Sequence, residues 1–201
     1  MIKLAEPHMA LNAQETDRTL KKNMGPPYKM RATFAVPDFW TPQQIVDQIL
    51  VTAQSAPQRR LGAVVLNSHG LFRNTHAHGY AGGFGIGLGA GIRSADAPLF
   101  KNLRSFVDEI YITGCEIART TNAGGVGDGK MLCSELARNA DAYVYASDAR
   151  QKTLIIAPYG CIDGFEGSVF RWGRDGTLLG SRNRWRTGAW DGARWLHVDP
   201  Y

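Results

Sequence analysis

Cysteine is scarce in this chain: Cys115, Cys133 and Cys161 are the three among 201 residues. An odd number cannot all pair within one chain, which argues against a disulfide framework and for reduced thiols. Long apolar runs are also missing. No stretch approaches the roughly 18–20 apolar residues needed to span a bilayer. No basic segment followed by an apolar one opens the chain, so no ordinary cleaved secretory signal is expected. The expected location is the cytoplasm, or outside the cell by a route that uses no cleaved signal. Charge of one sign is lacking too: 23 Lys and Arg stand against 18 Asp and Glu, a formal net charge of +5. That mild excess permits an acidic partner without demanding one. No internal repeat of solenoid period occurs.

What is present describes an ordinary globular chain, 44% hydrophobic and 20% charged, long enough for a sizeable core. Residues 1–29 read as polar and irregular, and Gly25-Pro26-Pro27 breaks any helix there. They are expected to form an N-terminal arm, with residues 30–201 as the one domain. A weak alternation over 30–36 suggests a first strand. Thr41 is a candidate N-cap, with Pro42 in the first helical position and Gln44 placed for a capping box; Ile45, Ile49 and Leu50 then keep helical spacing to about residue 54. Residues 61–67 read as a buried strand, 98–107 as a helix, 109–113 as a second buried strand, and 130–139 as another helix. Strands are expected at 141–147 and 153–157, and a hairpin over 167–182 around Asp175-Gly176. Alternating strand and helix in the middle of the chain favours a mostly parallel α/β sheet.

Two apolar runs end in a reactive side chain beside glycine. Leu61-Gly62-Ala63-Val64-Val65-Leu66-Asn67 leads to Ser68-His69-Gly70, and Glu109-Ile110-Tyr111-Ile112 leads to Thr113-Gly114-Cys115. Parallel strands end at a sheet rim, where open α/β folds place ligands. An imidazole beside a thiol can take its proton and later protonate a leaving amine. The N–H groups of Gly70 and Cys115 stand where an oxyanion would need donors. Glycine after the histidine would let a substrate backbone approach. Alone, such a cysteine reads as a small core residue and such a histidine as a satisfied polar one. Together, with matched glycines and a helix between them, they favour catalysis.

The order of these blocks resembles the caspase–hemoglobinase fold of clan CD cysteine peptidases. Ser68-His69-Gly70 is similar to the caspase histidine block. Thr113-Gly114-Cys115-Glu116-Ile117-Ala118 is closer to separases and to bacterial caspase-like domains. The resemblance covers residues 60–150. It implies a three-layer α/β/α domain with a mostly parallel sheet, here followed by a C-terminal β-hairpin. It implies a cysteine endopeptidase that cleaves protein or peptide substrates, with His69 as general base and acid, Cys115 as nucleophile, and Gly70 and Cys115 as the oxyanion hole. It further implies that the strand after the cysteine helix helps form the pocket for the residue before the cleaved bond, with Ser147 and Asp148 at its rim. Asp148 there would favour Lys or Arg; a solvated turn residue is the competing reading. Such a domain on its own fits a bacterial toxin or effector. The alternatives are a catalytically silent caspase-like binding module and, behind it, a metal-dependent hydrolase.

Other motifs fail at named positions. His76-Ala77-His78 has metal-ligand spacing, but no acidic residue joins it until Asp96. Gly124-Gly125-Val126-Gly127-Asp128-Gly129-Lys130-Met131 approaches a phosphate loop, but Met131 stands where a hydroxyl must hold magnesium. The glycine-rich stretch 79–91 reads as a mobile loop or an irregular hairpin, and a loop arching over an active site fits it. The Arg and Trp residues of the tail (Arg182, Arg184, Trp185, Arg186, Trp190, Arg194, Trp195) read as an aromatic cluster on the sheet edge rather than a nucleic-acid surface. The expectation is therefore no cofactor, no resident metal, no nucleic acid and no membrane, with the oligomeric state left open.

Overall fold

Seven strands build the principal sheet. The computed structural model describes residues 1–14, 28–75, 79–151 and 157–183, with 73–75 and 79–81 described by backbone alone. In chain order the strands are β1 (His8–Gln14), β2 (Ala32–Pro37), β3 (Leu61–Asn67), β4 (Val107–Ile112), β5 (Tyr143–Ser147), β6 (Ser168–Trp172) and β7 (Leu178–Asn183). Their spatial order is β7-β6-β5-β4-β3-β1-β2. The five strands from β5 to β2 are parallel; β6 and β7 pair antiparallel as the expected hairpin. The protein is thus α/β with a large, mostly parallel mixed sheet.

The handedness of crossovers explains where the layers lie. The steps from β2 to β3, β3 to β4 and β4 to β5 all run in one direction along the sheet. Right-handed connections must then fall on one face. There α1 (Pro42–Ser55), a 3-10 helix (Ser94–Leu103) and α2 (Gly129–Ala140) pack Ile45, Ile49, Phe100, Leu103, Leu132 and Leu136 against Leu11, Val64, Leu66, Ile110, Ile112 and Val144. The step from β1 to β2 runs the other way, so the rule sends it to the opposite face. Its described end, Tyr28 and Met30, packs there with Ile2, Leu4, Ile162 and Phe165 over Ala10, Val65, Tyr111 and Tyr145. Ile2–Lys3 pairs with Cys161–Ile162 in this layer. Among the described residues it carries no helix, so the expected second helical layer is not seen there. With both faces covered, β3 reads as a continuous apolar run instead of an alternating one.

Local signals formed α1 as expected. Thr41 Oγ1 accepts the Gln44 N–H at 3.3 Å, and Gln44 Oε1 accepts the Thr41 N–H at 2.9 Å. The helix expected at 98–107 is instead the 3-10 segment Ser94–Leu103. Pro98 lies inside it and has no N–H for an α-helical ladder, and β4 already begins at Val107. The N-terminal arm is overturned in larger measure. His8–Gln14 is an internal strand between β2 and β3, with Met9, Ala10 and Leu11 wholly buried, so the domain does not begin at residue 30. The strand expected at 153–157 lies outside the described residues but for Ala157, as do positions 184–201 with Arg184, Trp185, Arg186, Trp190, Arg194 and Trp195. No described helix is long and apolar enough to cross a membrane.

His8, at the start of β1, is buried; its Nδ1 accepts the Arg31 N–H at 3.0 Å. Burial lowers its pKa, outweighing the Glu6 carboxylate. The unfolded chain therefore binds more protons at this site than the folded one. The contribution is full above about pH 6.5 and is lost as pH falls below that toward the lowered folded value. Urea midpoints should drop between about pH 7.5 and about pH 5.5. The drop should be smaller in His8→Gln, which cannot titrate.

Candidate active site

β3 and β4 are adjacent and parallel, with Leu66 paired to Ile112. His69 and Cys115 each stand three residues beyond that pair, so they leave neighbouring strands at the same level of the same rim. The Thr113 N–H continues the ladder to the Leu66 carbonyl at 3.1 Å. Beyond it the two chains touch backbone to backbone. A Cβ on Gly70 would overlap the Cys115 carbonyl oxygen, and one on Gly114 would lie 3.1 Å from the Ser68 oxygen. Gly70 therefore makes room for the cysteine loop itself, not only for a substrate. His69 is half-buried with its Nε2 enclosed, and His69–Gly70 pairs with Ile86–Gly87.

Cys115 is half-exposed, whereas Cys133 and Cys161 are buried. Burial pushes both of those thiols up in pKa. The Cys115 sulfur accepts the Gln151 N–H at 3.2 Å and lies 3.8 Å from the Gln151 carbonyl oxygen. The segment after the cysteine is zipped to the end of β5: Glu116 N–H donates to Ala149 O at 2.8 Å and Ala118 N–H to Ser147 O at 2.9 Å.

Glu116, which sequence reasoning missed, is the densest electrostatic feature here. Its side chain is 6% exposed, and Oε2 meets Arg119 Nη1 at 3.1 Å while Oε1 meets Arg150 Nε at 3.4 Å. Oε2 also accepts the Gly82 N–H at 2.9 Å. No periodic pattern marks a lone glutamate in a loop, so nothing in the sequence pointed to it.

The two residues expected at the pocket rim, Ser147 and Asp148, both make hydrogen bonds within the protein. Ser147 is wholly buried. Its hydroxyl donates to the Glu166 carbonyl and accepts the Ala149 N–H at 3.1 Å. The hydroxyl therefore lies inside the protein rather than at the exposed rim where it was expected. Asp148 commits Oδ1 to the Ser168 N–H at 2.9 Å, joining the end of β5 to β6. Beneath the rim runs a polar row that the sequence did not reveal. Asn67 Nδ2 donates to Asn12 Oδ1 at 2.9 Å, and Thr113 Oγ1 donates to Asn67 Oδ1 at 3.0 Å. Beside it Tyr28 donates to Asp163, and burial raises the pKa of both.

Asp128 caps α2, accepting the Met131 N–H at 3.0 Å and the Gly124 N–H at 2.8 Å. Burial pushes its pKa up, but these N–H donors outweigh that and hold the carboxyl low. A carboxylate thus already sits where a phosphate would bind. His76 and His78 lie outside the described residues, among which no cluster of three metal-ligating side chains occurs. The stretch 79–91 is not simply a free loop, since Gly82 and Gly83 are packed against Glu116 and Arg119. A cavity of about 340 Å³, lined by His8, Arg31, Phe34, Gln48, Val51 and Leu61 among others, opens by the starts of β1 and β3, at the rim opposite His69 and Cys115.

The chain matches no family model, no curated protein and no solved structure. What the fold defines is a class: an α/β protein whose parallel strands bring one histidine and one cysteine to adjoining strand ends. Gly70→Ala tests that juxtaposition. Forcing a methyl onto the Cys115 carbonyl should cost about 1–3 kcal/mol, read as a lower urea midpoint at unchanged slope. An unaltered midpoint would mean that the two loops part freely.

Proposed function

We propose that this protein is a cysteine endopeptidase in which Cys115 is the nucleophile and His69 the general base and acid. The observation that carries the reading is the register of β3 and β4, which brings His69 and Cys115 to one rim with their loops in backbone contact. A caspase-like arrangement is further supported by the consecutive neighbours β3, β4 and β5, with α2 between cysteine loop and β5. In this reading the Cys115 thiolate attacks a peptide carbonyl, and N–H groups of Gly70 and Cys115 meet the oxyanion. His69, holding the thiol proton, protonates the leaving amine. It then takes a proton from water, which attacks the thioester and frees Cys115.

Cys115→Ala and His69→Ala should fold with wild-type circular dichroism and lose about 10³-fold or more of peptide hydrolysis. An iodoacetamide probe at neutral pH should label Cys115 far faster than the buried Cys133 and Cys161. Full activity in Cys115→Ala overturns the reading. No hydrolysis together with slow labelling of Cys115 leaves a silent caspase-like binding module in its place.

A further inference from the structure

The residue after the cysteine is held in a conformation that glycine would adopt without strain. Glu116 has φ +53°, in the left-handed region that costs a side chain energy. Its carboxylate is also taken out of water, which is unfavourable unless the charge is paired and hydrogen-bonded. In a chain with 23 glycines, a glutamate placed here at that double cost must supply something through its side chain.

Its partners come from three segments of the chain. Gly82 belongs to the stretch that follows His69, Arg119 to the cysteine segment, and Arg150 to the segment after β5. Arg150 directly precedes Gln151, whose N–H points at Cys115 Sγ. The fit against Gly82 is close: a Cβ there would overlap the Glu116 Cβ and lie 2.9 Å from the Glu116 carbonyl oxygen. The carboxylate thus ties both the Gly82 loop and Arg150 to the residue after the cysteine, beside the bonds that the Gln151 side chain makes to Ala149 and Glu166.

We propose that Glu116 is the positioning residue of the site, fixing Cys115 Sγ between the Gln151 N–H and the loop that carries His69. It touches no reacting atom; it acts through Arg150 and Gly82. The kinetic part of this inference rests on the peptidase reading, while the positional part does not.

Glu116→Gln preserves side-chain shape and removes the charge. It should lower kcat for peptide hydrolysis about tenfold while leaving KM within about twofold, because alignment of the sulfur matters in the transition state rather than in substrate binding. Hydrogen exchange of the Gly82 and Gln151 amides should quicken about tenfold or more, with amides in the centres of β3 and β4 unchanged. Arg150→Gln, whose side chain is 71% exposed and whose loss spares the core, should give the same split at about threefold. It carries the test if Glu116→Gln fails to fold. A raised KM at unchanged kcat, or unaltered exchange at Gln151, overturns the proposal. If the wild-type protein hydrolyses no peptide, the peptidase reading falls, and exchange at Gln151 and Gly82 alone decides the positional claim.

Discussion

The rim of this molecule depends on backbone packed against backbone with no side chain between. The segment from Cys115 to Thr121 is bracketed by glycines that cannot carry a Cβ. One on Gly70 would strike the Cys115 oxygen, on Gly82 the Glu116 side chain, on Gly83 the Arg119 oxygen, on Gly127 the Thr121 hydroxyl, and on Gly129 the Ile117 oxygen. These contacts pull the stretch after His69 and the turn before α2 onto the cysteine segment from two sides. Glycine abundance, which in a sequence suggests mobility, here reports close approach.

Polar groups buried beneath that packing gain from internal partners. The fold answers with side chains in register across the carboxyl ends of the strands. Asn12 and Asn67 are paired residues on β1 and β3 and share a hydrogen bond, which Thr113 extends to the end of β4. Ser147, at the end of β5, bonds the Glu166 carbonyl and the Ala149 N–H. A residue type that suggests substrate contact is thus spent on closing the layer under the site. The apolar core on the helix side does the complementary work of fixing β3 and β4 in register, since a slip of one residue would turn Leu66 and Ile112 away from Phe100 and Leu136.

Legibility in the sequence followed the range of the interaction. The cap of α1, the continuous apolar run of β3 and the Asp175-Gly176 hairpin turn are local, and each formed where it was expected. β1 was hidden because its apolar residues, Met9, Ala10, Leu11 and Ala13, are interrupted by Asn12 and preceded by His8, whose buried side chains find their partners at Tyr28, Arg31 and Asn67 far along the chain. Glu116 was illegible for the same reason: its partners at Gly82 and Arg150 are 34 residues away on either side. His69 and Cys115 could be read because strand ends are local, but their adjacency is a property of sheet order.

The two flanks of Cys115 are held by forces of different kinds. Toward His69 the hold is steric, a carbonyl against a glycine Cα, and neither salt nor a modest shift of charge loosens it. Toward Gln151 the hold is polar: the Glu116 N–H bond to Ala149, the Gln151 side-chain bonds to Ala149 and Glu166, and the ion pair of exposed Arg150, worth ~0–1 kcal/mol and screened by salt. One flank is therefore held by shape and the other by hydrogen bonds and charge. The Gln151 flank is the one that presents an N–H to the sulfur, so the thiol environment depends on polar bonds on that side and on a glycine fit on the other.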